Sequence, residues 1–203
     1  MKILVVNAGS SSVKFGLFDW ETLVPTVRGL VDFNAQPDGA QIIVREGDTV
    51  VAQRTSPSKK YRDAVAGALS LLQELHFVAS PEEIPAVAHR LIHGGEAIRE
   101  PVIITQQIKE IIRQFIPLAP LHIPAGLQAI EVTESLFPGA VQTGIFDTAF
   151  FAHIPPAAYL YPVPYEWYTE WGIRRFGYHG TSHAYAMERA AQMLGHPVES
   201  VHL

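Results

Sequence analysis

The hydrophobic positions in the first part of the chain follow the patterns of β-strands. Residues 3–6 form an unbroken apolar run, which predicts a strand buried on both faces. After a turn of small residues at 8–12, apolar and polar positions alternate through 13–18, so a hairpin is predicted. Further strands are predicted at 22–31, 41–45 and 49–53.

The rest of the chain alternates between helical and strand periods. Apolar spacings of three and four predict helices at 61–75, 108–115, 127–137 and 182–194, with Ser56-Pro57 as the start signal of the first. Buried strands are predicted at 84–92 and 140–146, an ordered irregular segment at 153–171, and the opening of another strand at 200–203. This order indicates an α/β domain with a mixed β-sheet flanked by helices.

Composition narrows the class of protein. The 203 residues are 48% hydrophobic and 17% charged, which suits a sizeable core and argues against disorder. The net charge is −5 without a basic run, so we expect neither nucleic acid nor a membrane as partner. The chain has no cysteine, which excludes disulfides and thiolate chemistry. The first apolar run is too short for a signal peptide, so we expect a cytoplasmic protein.

The first candidate site is the turn that follows Asn7. The small residues at 8–12 leave backbone N–H groups and three hydroxyls open to an anion, and Lys14 adds a cation. The spacing is not that of a Walker A loop. A hairpin turn with an incidental lysine explains the same residues, so the motif alone leaves both interpretations open.

Two further candidates stand at the predicted ends of buried strands. Arg90 precedes a Gly-Gly turn, where ligands of open α/β sheets bind, and its guanidinium could hold a carboxylate in bidentate fashion. Asp147 ends the next strand and could hold a phosphate-bound Mg²⁺ or orient a reacting group. The alternatives are a surface salt bridge for Arg90 and a capping role for Asp147.

Histidines form the last set of candidates. His179 and His183 have the spacing of helical zinc ligands, but the glutamate of His-Glu-x-x-His is missing and a glycine follows His179. We therefore expect Thr181 or Ser182 to cap a helix, His179 to face a substrate phosphate from the preceding loop, and His183 to be structural. His122 lies between two predicted helices, where a site could form.

Together and in this order, five segments resemble the acetate kinase family: 6–15 (VNAGSSSVKF), 89–96 (HRLIHGGE), 119–122 (APLH), 146–150 (FDTAF) and 172–183 (GIRRFGYHGTSH). The resemblance covers the whole chain. It implies the acetate and sugar kinase/Hsp70/actin-like (ribonuclease H-like) fold, with the active site between two lobes. It also implies reversible transfer of the ATP γ-phosphate to the carboxylate of acetate, or of propionate, to form an acyl phosphate.

The resemblance also implies roles for particular residues. Catalytic roles would belong to Asn7, Arg90, His122, Asp147 and His179. Phosphate binding would belong to Ser10, Ser12 and Lys14. Arg90 would bind the acetate carboxylate, and the acyl group would contact Ile92, Leu121 and Tyr178. Mg²⁺ would be the cofactor, ATP the co-substrate, and Asn7 and Asp147 candidate Mg²⁺ ligands.

Three departures from the family pattern lie near these positions. Ile123-Pro124-Ala125-Gly126 replaces Asn-Pro-Ala-Asn, which removes two side-chain amides, and Phe151 replaces a frequent histidine. Tyr178 stands where phenylalanine is usual, and its hydroxyl or the bulk of Ile92 could alter the acyl pocket. One methylene is worth only about 1–3 kcal/mol of discrimination, so acetate and propionate both stay open.

Length is the largest departure, because family members are roughly twice as long, beyond the size that one core serves. We therefore expect residues 1–203 to be the N-terminal lobe, without the C-terminal nucleotide-binding lobe, and to bind ATP poorly and turn over little or not at all. The full-length form is expected to be a homodimer. The alternatives are a non-catalytic module that binds a small anion or a partner protein, and a histidine-based metal hydrolase.

Overall fold

The computed structural model describes residues 1–58 and 60–201, and its first part is a run of five antiparallel strands. They are β1 (Lys2–Ala8), β2 (Ser12–Asp19), β3 (Pro25–Gln36), β4 (Gly39–Glu46) and β5 (Thr49–Ser56). Each pairs with the next one along the chain, since the turns between them are short. The strands predicted in this region are confirmed, and β3 runs longer than predicted because it continues to the turn before Gly39.

Helices and strands alternate after β5. The helices are α1 (Tyr61–Glu74), α2 (Gln106–Gln114), α3 (Ile123–Leu136), α4 (Pro156–Tyr159), α5 (Glu166–Trp171) and α6 (Gly180–Leu194). The strands are β6 (Ala86–Leu91), β7 (Val102–Ile103) and β8 (Val141–Phe146). The sheet order is β5-β4-β3-β2-β1-β6-β8-β7, with β1, β6 and β8 parallel to one another. The predicted mixed sheet with flanking helices is therefore confirmed.

The three parallel strands bring their carboxyl ends to one edge of the sheet. Asn7 on β1 lies in register with Arg90 on β6, and Leu91 lies in register with Phe146, directly before Asp147. Ligands of open α/β sheets bind beyond this edge. The sheet topology therefore places three sequence candidates side by side.

The main core lies between one face of the sheet and helices α1 and α3. Apolar side chains of α1 at helical spacing, including Val65, Leu69 and Leu72, are buried against the strands and α3. Each such leucine or valine contributes about 1.5–3 kcal/mol through removal of its side chain from water. A second cluster joins α2 and α3 to β6 and β8, and includes Ile112, Ile130 and Phe146. Because Leu91 and Phe146 are the last residues of β6 and β8, the second cluster packs directly against the strand ends.

Several helix boundaries differ from the prediction. Helix α3 begins at Ile123 and α6 at Gly180, upstream of the predicted starts at 127 and 182. Ser56-Pro57 is not the start of α1, because Ser56 is the last residue of β5 and Lys60 is the N-cap. The first turn of α6 is polar and shows no apolar period, whereas the first turn of α3 is apolar but contains a proline and a glycine, which favour a loop.

Three other segments were predicted incompletely. The two-residue edge strand β7 was not predicted, and residues 153–171 contain the short helices α4 and α5. Of the strand predicted at 200–203, Ser200 instead closes a 3₁₀ turn, and residues 202–203 lie outside the described residues. Across the described ranges, no helix has both the length and the apolar character needed to span a membrane.

Candidate active site

Arg90 is the centre of a polar network at the carboxyl ends of β1, β6 and β8. Its Nε donates to Oδ1 of Asp147 at 3.3 Å, its Nη2 donates to Oδ2, and its Nη1 donates to Oδ1 of Asn7 at 3.2 Å. Asp147 is completely buried, whereas the Arg90 side chain is 23% exposed. Arg90 is therefore not an ordinary surface salt-bridge residue, and Asp147 makes no helix cap.

Thr181 adds a fourth member to this network. Its hydroxyl donates to Oδ1 of Asp147 at 2.8 Å and ties the first turn of α6 to the end of β8. The prediction that the 181–182 pair caps the helix is wrong, because α6 begins at Gly180 with His179 as an N-cap that makes no side-chain bond. A Cβ at residue 180 would lie 2.0 Å from the Asp147 carbonyl oxygen, so this close approach requires glycine.

A cavity of about 520 Å³ opens beside this network. Its walls include seven of the residues singled out from the sequence: Arg90, Ile92, Leu121, His122, Asp147, Tyr178 and His179. The lining combines a guanidinium, which the buried Asp147 carboxylate holds in place, and two imidazoles with apolar side chains. Such a mixture suits a small anion that carries a short apolar group.

The two histidines of the cavity are both helix N-cap residues. His122 precedes α3 and His179 precedes α6, so the N-termini of two helices of at least fourteen residues adjoin the cavity. Helix N-termini carry partial positive charge and unpaired N–H groups, which favours anions. His179 also has the left-handed conformation (φ 58°), an uncommon backbone geometry that often occurs at functional sites.

The loop that carries Tyr178 and His179 is held in place by contacts of the residues that precede them. Arg174 forms an ion pair with Glu96 and packs over the Tyr159 ring at 3.7 Å, and its side chain is only 6% exposed. Gly177 has a φ of 80°, and its Cα faces the Phe151 ring so closely that a Cβ would lie 2.4 Å from it. Phe151, one of the departures from the family pattern, thus supports this loop.

The structure does not place the three predicted phosphate-binding residues in the cavity wall. Ser10 is exposed in the turn closed by the bond from the Gly9 N–H to the Ser12 carbonyl, at 2.9 Å, and Ser12 begins β2. Lys14 lies opposite Asn7 and, with it, lines a separate groove of about 370 Å³ on the sheet face. Their binding of phosphate stays a prediction, supported by the proximity of the turn to Asn7.

Direct Mg²⁺ coordination by Asn7 and Asp147 does not fit this arrangement. The Asn7 oxygen accepts from Arg90, and both Asp147 oxygens accept from Arg90 or Thr181. A guanidinium in this position repels a cation. Among the described residues, no group of three or more His, Asp or Glu side chains could hold a metal ion, which also leaves His179 and His183 without a third ligand.

Comparison with known proteins decides the family. The model of the Acetokinase family matches residues 2–203. The chain belongs to the acetokinase family. This confirms the family prediction made from the five sequence segments. Among curated relatives, the chain is 43% identical to the acetate kinase of Desulfitobacterium hafniense over 205 residues, and 44% identical to that of Microcystis aeruginosa over 209 residues.

Solved structures show that the fold is shared as well. The acetate kinase of Porphyromonas gingivalis superimposes with a TM-score of 0.85 at 39% identity, over 97% of this chain and 50% of that protein. The propionate kinase of Francisella tularensis superimposes with a TM-score of 0.84 at 36% identity, over 96% of this chain and 49% of that protein. The predicted acetate and sugar kinase/Hsp70/actin-like fold is therefore confirmed. The alignments with the two curated relatives include 100% and 99% of this chain. The chain spans about half of the length of each relative, 51% in both cases.

Proposed function

We propose that this chain is the N-terminal lobe of an acetate or propionate kinase and holds the acid-binding half of its active site. The observation that carries the proposal is the single cavity that gathers Arg90, His122, Asp147 and His179 with apolar side chains. The family membership and the similarity to acetate and propionate kinases support it.

In this proposal Arg90 binds the carboxylate of the acid. Its bonds to Asn7 and Asp147 use three of the five guanidinium N–H groups and fix the plane of the group. The other two N–H groups remain for the substrate carboxylate, which they can hold in a defined orientation. Ile92, Leu121 and Tyr178 then contact the acyl chain. Because Asn7 and Asp147 position Arg90, they act on the acid through it.

Phosphoryl transfer in this site is a direct in-line displacement. A carboxylate oxygen of the acid attacks the γ-phosphorus of ATP, the bond between that phosphorus and the ADP oxygen breaks, and acyl phosphate and ADP form. Charge spreads over the equatorial phosphoryl oxygens, so donors around them lower the barrier. We assign this role to His122 and His179, with help from the N-termini of α3 and α6. Ser10, Ser12 and Lys14 would bind phosphate oxygens beside Asn7.

The nucleotide side of the reaction belongs to the proposal for the complete enzyme. We propose ATP as co-substrate, Mg²⁺ as the cofactor that neutralises its phosphates, and a cytoplasmic homodimer as the full-length form. The polar network of this lobe offers Mg²⁺ no free ligand set, so the ion would bind through the phosphates and other residues. Residues 1–203 alone would form little or no acyl phosphate.

Acetate binding by the chain tests the first half of the proposal. We expect acetate to bind residues 1–203 in an NMR titration, and Arg90→Gln to weaken that binding at least about tenfold, since the charged hydrogen bonds are lost. Arg189→Gln, which changes an exposed arginine whose side chain bonds to Gln192 within α6, is the matched control and should bind like the wild type. Equal binding by Arg90→Gln would contradict the proposal.

Turnover tests the second half. Purified residues 1–203 should form no acyl hydroxamate from acetate, ATP and hydroxylamine, and robust formation would disprove the inactivity of the chain. Co-expression with the C-terminal half of the Desulfitobacterium hafniense enzyme should restore turnover, and Arg90→Gln should abolish it again. Acetate binding without any restoration would instead favour the non-catalytic small-anion module.

A further inference from the structure

His93 is a buried polar side chain directly behind the candidate active site. It follows Ile92, which lines the cavity, and it is only 1% exposed. Its Nδ1 accepts a hydrogen bond from the Gly95 N–H at 3.0 Å, so the proton of the neutral ring sits on Nε2. Burial lowers the pKa of His93, which keeps the ring neutral near pH 7. Its Nε2 has no hydrogen-bond partner among the described residues.

Three aromatic rings surround this imidazole. Phe115, directly after α2, stacks on it with the ring centroids 5.0 Å apart. Phe176 contacts it edge-on at 4.5 Å, and Tyr178 lies tilted at 6.0 Å. The ring therefore joins the end of β6 to α2 and to the loop before α6, all through contacts that are distant in sequence.

The backbone turn at Gly95 packs directly against one of these aromatic rings. Gly95 has a φ of 62°, and a Cβ on it would lie 2.1 Å from the Phe115 ring, so the turn is shaped around that ring. A small cavity of about 10 Å³ is bordered by His93 together with Arg90 and His122. His93 thus borders both the apolar wall and the polar network of the candidate site.

We propose that His93 is a positioning residue that fixes Ile92 and Tyr178 and thereby sets the length of acyl chain that the cavity accepts. Here one neighbour in sequence, Ile92, and one neighbour in space, Tyr178, both line the cavity. The inference rests on the proposed function, because it assigns the apolar wall to the acyl group.

Two substitutions separate the contacts that His93 makes. His93→Asn keeps an oxygen acceptor near the position of Nδ1 for the Gly95 N–H but removes the ring. His93→Phe keeps a ring among the aromatic side chains but removes the acceptor. His196→Gln, at an exposed position after α6, is the control for loss of a histidine. The measurement is the ratio of the dissociation constants of acetate and propionate, by NMR titration of residues 1–203.

We expect His93→Asn to shift this ratio at least about fivefold toward propionate, because Tyr178 gains room to move away from the cavity and one methylene can be discriminated by tenfold or more. His93→Phe should keep the ratio within about twofold, because the ring contacts persist. Phe176→Leu loosens the same aromatic contacts without touching the Gly95 turn and should shift the ratio in the same direction.

Unchanged ratios in His93→Asn and Phe176→Leu, with both variants folded and the wild type binding acetate, would overturn this inference alone. If His93→Asn does not fold, an unchanged ratio in Phe176→Leu is sufficient to overturn it. A wild-type chain that binds neither acid would overturn the proposed function, and the inference with it. The two failures are therefore distinct.

Discussion

At the scale of single residues, the buried carboxylate of Asp147 depends on hydrogen-bond partners from other side chains. Removing an ionised carboxylate from water costs several kcal/mol unless partners replace the lost hydration. Arg90 and Thr181 occupy both of its oxygens, and Arg90 in turn holds Asn7. These four side chains therefore act as one unit, in which loss of one member changes the position of the others.

Thr181→Val tests this unit with the smallest change in volume. Loss of the hydroxyl removes the shorter of the two hydrogen bonds to Oδ1 of a buried carboxylate and leaves only the 3.3 Å bond from Arg90 Nε, which should lower the free energy of unfolding by about 1.5–3 kcal/mol. Acetate binding should weaken as well, because Arg90 loses a fixed partner. Urea unfolding measures the first effect and NMR titration the second. Thr181→Ser keeps the hydroxyl and should stay close to the wild type; equal losses in both variants would contradict the role of this bond.

At the scale of elements, helices and strands converge on the cavity from two sides. The strands β1, β6 and β8 deliver Asn7, Arg90 and Asp147 from their carboxyl ends, and α3 and α6 deliver histidines from their N-termini. The joint between β8 and α6 is the tightest of these contacts, since Gly180 packs against the Asp147 backbone. The site geometry therefore depends on one glycine in the first turn of a helix.

A pair of Gly→Ala substitutions tests that joint. Gly180→Ala should destabilise the protein by more than about 1 kcal/mol and weaken acetate binding, because the new Cβ collides with the Asp147 carbonyl and pushes α6 away. Gly67→Ala, in the exposed interior of α1 with open space around it, should instead stabilise by about 0.5–1 kcal/mol. Thermal unfolding gives both values. Similar effects of the two substitutions would mean that the joint is not tight.

At the scale of the whole molecule, the buried neutral side chain of His89 makes the stability of the protein depend on pH. The Nε2–H of His89 on β6 donates to Oε1 of Gln142 on β8 at 2.8 Å, and the Thr133 hydroxyl on α3 donates to the same oxygen at 2.9 Å. Burial lowers the pKa of His89 to about 4, against the smaller opposing effects of the Gln142 bond and the charge of Glu134. The network joins two strands and a helix in the core.

The free energy of unfolding should therefore fall as the pH is lowered from about 6.5 to about 4. In that range the unfolded chain binds a proton on His89 and the native protein does not. Acidification therefore lowers the free energy of unfolding by up to about 3 kcal/mol through His89. This contribution levels off below about pH 4, where His89 is protonated in the native protein as well.

Urea unfolding between pH 4 and 8 measures this dependence. His89→Gln should flatten it, leaving the smaller acid dependence of His93, whose pKa burial also lowers. His196→Gln, which removes an exposed histidine, should leave it unchanged. A wild-type curve that is flat across this range would contradict the neutral, buried state of His89.

Much of the fold could be predicted because the signals are local. Strand alternation, helical spacing and turn residues depend on neighbours within a few positions, and most elements lie where they were predicted. Arg90 and Asp147 were identified because each stands at the end of a buried strand, Arg90 within the last residues of β6 and Asp147 directly after β8. The first turn of α6 was missed because it is polar, and the apolar first turn of α3 was missed because its proline and glycine are typical of loops. The edge strand β7 was missed because two residues contain no period.

The sequence by itself determined the family, the mixed sheet and seven of the residues that line the cavity, because ordered motifs and local periods can be recognised without the fold. Only the tertiary structure decided how those residues are used. It turned Thr181 toward Asp147, placed Lys14 on a separate groove and enclosed His93 among three aromatic rings. Each of these outcomes depends on the packing of segments far apart in sequence, which no local pattern records.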